Sequence, residues 1–209
     1  KNSKNTVIVR STITTSNIDH LIEAIDYWHG LGIKFIHFET VDISSGRAIS
    51  QDGIIVDNKY FLTKFFEALD FAEGKGVKII NSAYMNLMSP AETFCTSISG
   101  RNVIVFPNGM KTNCYKVDDD FDKNILKGIK KNNKVACKDC FAGYICGGGC
   151  HFRHRITTDN ILGVDPNYCM VKRELIRDAI IRLWKGEKQI LGKYFLDIEE
   201  IKKGGDKND

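Results

Sequence analysis

The stretch "CKDCFAGYICGGGC", residues 137–150, sets four cysteines within fourteen residues and spends three consecutive glycines just before the last. So many thiols at such short spacings need a chain of tight turns around them, because long regular elements point neighbouring side chains apart. Cys95, Cys114 and Cys169 bring the total to seven. The opening residues, "KNSKNTVIVR", hold no apolar signal core with a small-residue cleavage site. The expected setting is therefore a reducing cytoplasm, where clustered cysteines point to metal rather than to disulfides.

Composition excludes several classes. With 209 residues, 43% hydrophobic and 27% charged, the chain has the make-up of a globular protein able to bury a sizeable core. No apolar run approaches the roughly 18 residues of a membrane span, so no membrane partner is expected. The net charge of +4 comes from scattered lysines rather than a basic stripe, which argues against a nucleic-acid surface. The "DDD" at 118–120 lacks the spaced oxygen ligands of a calcium loop and reads as a solvated turn.

The first third alternates strand and helix. "TVIVRSTIT" is rich in β-branched residues, and behind the capping candidates Ser16 and Asn17 the spacing of Ile18, Leu21, Ile22, Ile25 and Trp28 predicts a helix with one buried face, stopped by Gly30 and Gly32. "IKFIHF" follows as a buried strand. After a loop carrying "SSGRA", a second helix buries Phe61, Phe65, Ala68, Leu69 and Ala72 and ends at Gly74 and Gly76, and "VKIIN" is the third strand. Residues 6–82 thus read as β-α-β-α-β with a parallel sheet. Three strands cannot close a barrel of about 250 residues. A unit that begins in a strand, at Lys1 rather than Met, is expected to be cut from a longer enzyme, although a small stand-alone α/β domain is the alternative.

After Pro90 the texture changes, and "NVIVFPNGMKTNCYKV" predicts a β-hairpin turning at Asn108-Gly109. A lysine-rich bridge over 118–136 carries a small apolar patch, Ile125, Leu126 and Ile129. From Cys169 a helix is expected to bury Leu175, Ile176, Ala179, Ile180 and Leu183, with Cys169 at its N-terminus, where the helix dipole favours thiolate. The charged end "KKGGDKND" reads as a frayed tail.

In register the order is Cys95, thirteen residues, Gly109, four residues, Cys114, a gap, then Cys137, two, Cys140, five, Cys146, three, Cys150, and later Cys169. This resembles the seven-cysteine signature of the SPASM domain found at the C-terminus of many radical S-adenosylmethionine enzymes. The resemblance is close over residues 91 to about 185 and looser over 1–90, which would be the last strands of that family's partial β/α barrel. The fold class it implies is α/β plus α+β: a partial parallel β/α barrel segment, residues 1–90, then a small cysteine-rich SPASM domain with a β-hairpin and a C-terminal helix, residues 91–187, and a tail, 188–209.

The resemblance further implies two auxiliary 4Fe-4S clusters. Cys137, Cys140, Cys146 and Cys169 would hold the one distal to the barrel; Cys95, Cys114 and Cys150 would hold the proximal one, leaving an iron open to water, a histidine or a substrate thiolate. Gly147, Gly148 and Gly149 would let the backbone approach the inorganic sulfides. Zinc is the competing chemistry, with His151 and His154 beside Cys150 as possible ligands, and an adventitious zinc could substitute for a lost cluster. Zinc sites give no reason for the Gly109 to Cys114 spacing, so both histidines are expected to hydrogen-bond near the cluster instead.

The Cys-x3-Cys-x2-Cys that binds the radical-generating cluster is missing from these residues. S-adenosylmethionine and that third cluster would therefore belong to the full-length enzyme, and this chain alone is expected to be inactive. Arg10 and Glu39, near strand ends, could face that cofactor at the barrel rim. The family's branches act on peptides or proteins, receiving electrons from a ferredoxin or flavodoxin. In the sulfatase-maturing branch an aspartate base follows the cysteine of the Gly-x4-Cys element; here Tyr115 stands there, a poor substitute for a carboxylate. The expected function is thus that of a peptide maturase, such as one forming thioether cross-links, with no catalytic residue assigned. A sulfatase-maturing-type enzyme and a non-catalytic zinc or iron-sulfur binding module are the alternatives.

Overall fold

A computed structural model of the chain describes residues 6–42, 53–84, 86–98, 102–116 and 129–187. The expectations for "SSGRA", for the aspartates at 118–120, for Ile125 and Leu126, and for the tail from 188 lie outside the described residues.

Three parallel strands form one sheet in the order β1 (Ile8–Ile13), β2 (Phe35–Thr40), β3 (Lys78–Ile80). Ile8 pairs with Phe35 and Phe35 with Lys78, so the C-terminal ends of the strands lie side by side. Between them run α1 (Leu21–Gly30) and α2 (Asn58–Lys75). In α2 the sequence signals are local and mutually consistent. The Asp57 carboxylate accepts the N–H groups of Lys59 and Tyr60 at 3.0 Å, and Gly76 closes the helix in the left-handed conformation. Phe61, Phe65, Ala68, Leu69 and Ala72 are buried between these ends, while Gly74 is an interior residue and not a stop.

The other helices depart from expectation in instructive ways. Neither Ser16 nor Asn17 caps α1. The Asn17 side chain accepts from the Thr14 N–H and donates to the Thr12 carbonyl, both at 2.9 Å, binding the end of β1 to a short 3-10 turn, Ile18–His20, that precedes the helix. Ile22 is 38% exposed because α1 offers only a narrow stripe, Leu21 and Ile25, to its neighbours.

The hairpin is short: β4 (Ile104–Val105) pairs antiparallel with β5 (Lys111–Thr112), and Gly109 takes φ 82° at the turn. Beyond it, α3 (Gly143–Cys146), α4 (His151–Thr158) and α5 (Pro166–Trp184) are linked by turns. Helix α5 begins three residues before Cys169, capped by the Asp165 carboxylate on the N–H groups of Asn167 at 3.0 Å and Tyr168 at 3.1 Å. Ile180 is 42% exposed and Leu183 half-buried, whereas Leu175, Ile176 and Ala179 join the same core as Phe38, Phe65, Leu69 and Ala72. An Arg182 to Asp70 ion pair of 2.7 Å ties α5 to α2. No helix among the described residues is long and apolar enough to cross a membrane.

Candidate metal centre

The cysteine-rich segment is a chain of tight turns. The N–H of Cys137 reaches the Lys134 carbonyl at 2.9 Å, that of Gly143 the Cys140 carbonyl at 2.9 Å, and that of Cys146 the Ala142 carbonyl at 2.7 Å. Each turn reverses the chain before side chains can diverge. Cys137, Cys140 and Cys146 consequently face one cleft, whose far wall is Cys169 in the first turn of α5 with Lys172 and Arg173 beyond it. The cleft holds about 360 Å³ of empty space, part of it open to solvent. Cys95, Cys114 and Cys150 gather elsewhere. The Cys114 thiol is pushed up by burial, eased by a backbone hydrogen bond at Lys116, and pushed up again by the neighbouring Cys150 and Cys95. All seven cysteines are unpaired.

A single metal ion draws its donors to about 2.3 Å from one point, whereas a four-iron cluster gives each thiolate its own iron and spreads the sulfurs around a cavity. Among the described residues no three His, Cys, Asp or Glu side chains gather tightly enough to hold one ion. Four cysteines lining a shared cleft fit the second arrangement. Cys169 is not the activated thiolate its helix position suggests. Burial, then the neighbouring Cys146 and Cys137, pushes its thiol up to about 12, outweighing the help of Arg173.

The three glycines all take positive φ, 64°, 84° and 72°, which turns the chain between Cys146 and Cys150. Their expected use was to let inorganic sulfide approach; the structure gives each a protein neighbour as well. A Cβ on Gly147 would lie 2.4 Å from the Thr93 backbone, one on Gly148 would lie 3.2 Å from the Lys131 Cα, and one on Gly149 would meet the His154 Nε2 at 2.6 Å.

Both histidines are buried and support the backbone. His151 donates from Nδ1 to the Gly149 carbonyl at 2.9 Å, and His154 accepts at Nδ1 from the Asp165 N–H at 2.9 Å. Burial, followed by the charge of Lys134, holds them neutral, at about 3 and about 4. Their Nε2 atoms are buried and have no hydrogen-bond partner among the described residues.

Among the described residues Lys131, Lys134 and Lys172 are buried, although a lysine in sequence ordinarily marks surface. Lys131 donates to the Cys137 and Lys138 carbonyls at 3.4 and 3.3 Å and lies over the Tyr144 ring. Lys134 donates to the Gly148 carbonyl at 3.1 Å; burial lowers it to about 8 against the pull of Cys137, Cys169, Cys146 and Cys150. Lys172 contacts Ser82 and lies 3.7 Å from Glu39.

Lys172 also lines a second cleft, about 560 Å³, at the C-terminal ends of the strands, with Ile13, Glu39, Asn81, Arg153 and Tyr168 around it. Of the two rim candidates, Glu39 lines this cleft and Arg10 does not; Arg10 is exposed on β1. Burial alone would raise the Glu39 carboxyl. The charge of Lys172, the His37 ring and the Ser82 N–H at 2.9 Å reverse that and hold it at about 2. A depressed carboxyl stabilises the fold above its unfolded pKa, about 4.3, and loses that contribution as pH falls toward 2. Glu39→Gln should therefore be least stable relative to the parent above pH 5, by about 3 kcal/mol, with the gap closing on acidification. Denaturant melts from pH 7 to 2 measure it; a gap that stays constant would exclude the linkage.

No protein-family model matches the chain, and no curated protein matches it.

Proposed function

We propose that this chain is the auxiliary-cluster portion of a radical S-adenosylmethionine enzyme that modifies a peptide or protein, acting in the cytoplasm with a ferredoxin or flavodoxin as electron donor. The observation that carries the reading is the grouping of Cys137, Cys140, Cys146 and Cys169 around one cleft with cationic walls, apart from Cys95, Cys114 and Cys150. That division supports assigning the two ligand sets that the family resemblance implies.

Bound there, 4Fe-4S clusters supply one-electron chemistry and a Lewis-acidic iron. The protein's own part is to deliver thiolates from several directions, to exclude water behind Val164 and Ala142, and to offset negative charge with buried lysines. Tyr115, exposed beyond Cys114, offers no carboxylate base, which favours a peptide maturase over a sulfatase-maturing type. Radical generation and S-adenosylmethionine binding belong to the full-length enzyme.

Anaerobic reconstitution with iron and sulfide tests the reading. The expected result is brown protein with two clusters, about eight iron and eight sulfide per chain. Stoichiometric zinc with no iron uptake would overturn it in favour of a zinc module.

A further inference from the structure

Lys134 is fully buried, and among the described residues no carboxylate pairs with its ammonium. A buried charge is costly unless something of opposite sign accompanies it. The surrounding groups that interact with it electrostatically are Cys137, Cys169 and Cys146 of one set and Cys150 of the other. Its hydrogen-bond acceptor is the carbonyl of Gly148, midway between Cys146 and Cys150. His151 and His154 are engaged with backbone groups through Nδ1, and an imidazole supplies no negative counter-charge. The position makes sense when the cysteines around it are thiolates on a metal centre that gains further negative charge on reduction.

We propose that Lys134 is a positioning charge shared by both cysteine groups, making a cluster held by either group easier to reduce. This rests on the cluster-binding reading above. A cation buried beside a cluster stabilises its reduced, more anionic form, and the low local dielectric keeps the effect from being screened. Its seat between the groups extends the effect to both. Lys131 and Lys172 differ in this respect. Lys131 is engaged by two carbonyls and the Tyr144 ring on the side of Cys137, and Lys172 is partnered by Glu39.

The test uses the full chain, reconstituted anaerobically with iron and sulfide and titrated with a chemical reductant while the paramagnetic signals are followed. In Lys134→Met and Lys134→Gln the one-electron reduction equilibrium should weaken roughly tenfold at the four-cysteine cluster, about 59 mV downward, with a smaller downward shift at the other. Lys134→Arg should stay near the parent. Full iron loading with unchanged potentials in the neutral variants overturns the proposal. Neutral variants that fail to load iron overturn it, because Lys134 then serves assembly, through its charge if Lys134→Arg loads and through packing if it does not, rather than the reduction equilibrium. Should the parent itself take up no iron, the cluster-binding reading falls first, before any variant is compared.

Discussion

Replacing Cys140 and Cys169 together with serine is expected to remove half of the iron taken up on reconstitution, and replacing Cys95 and Cys114 together is expected to remove the other half. Pairs are needed because, on the proposed reading, one group would hold its cluster with three cysteines, so a single loss from the four-cysteine group would leave a set of that same size. After the first pair, only Cys137 and Cys146 remain on the cleft; after the second, Cys150 stands alone. Two or fewer thiolates do not hold a cubane. The two double variants should therefore keep different clusters, distinguishable by their paramagnetic spectra, and the quadruple variant should keep none. Iron and sulfide analysis with circular dichroism of the metal-free proteins checks both loading and fold. A single pair of substitutions that abolishes all iron in a folded protein would mean one shared site, and the division into two groups would be wrong.

That division was not derivable from spacing. Cys146 and Cys150 are separated by three residues, yet they turn to different groups, and Cys169 joins the first from another helix. The family resemblance alone suggested two ligand sets, and the iron analysis of the paired variants is what tests them. What spacing did convey was local. In α2 the apolar stripe, the Asp57 cap and the Gly76 stop agree with one another, and the helix lies where they put it. Where a helix has few neighbours the stripe is a poorer guide, as the exposed Ile22 and Ile180 show. The start of α5 is legible in the sequence, because Asp165 followed by Pro166 is a capping residue with a proline in the first turn.

The buried lysines had no such signal. Nothing about Lys131 or Lys134 in "KGIKKNNKVACKDC" distinguishes them from Lys130 or Lys138, which are exposed or half paired at the surface. Their burial follows from the two 3-10 turns, Lys131–Asn133 and Val135–Cys137, which fold inward under the glycine loop because the Lys131 N–H pairs with the Glu92 carbonyl at 2.8 Å. A long-range backbone contact of that kind leaves no trace in local pattern. The close approach of Gly147 to the Thr93 backbone is what keeps the segment before Cys95 and the loop after Cys146 from being treated separately.

Gly147→Ala should therefore be among the most damaging single substitutions in the chain. Two costs add at this position. The left-handed φ of 64° would carry about 1–2 kcal/mol of steric penalty for any residue with a Cβ. The new methyl would also stand 2.4 Å from both the carbonyl carbon and oxygen of Thr93 and 2.6 Å from the Phe94 nitrogen, all backbone atoms that no rotamer change can move away. Overpacking of this kind costs about 1–3 kcal/mol, so a total of roughly 4 kcal/mol is expected. If the loop yields instead, the strain passes to Cys146 on one side and to Cys95, two residues after Thr93, on the other, so both groups should lose iron at once. Gly109→Ala supplies the contrast: it has a similar φ, 82°, but nothing lies within 4 Å of its Cβ, and it should cost only the conformational part, with iron uptake intact. Denaturant melts of the two metal-free variants, followed by reconstitution, separate close packing from backbone conformation. Equal losses in both variants would show that the contact between Gly147 and Thr93 does not hold the two cysteine groups together.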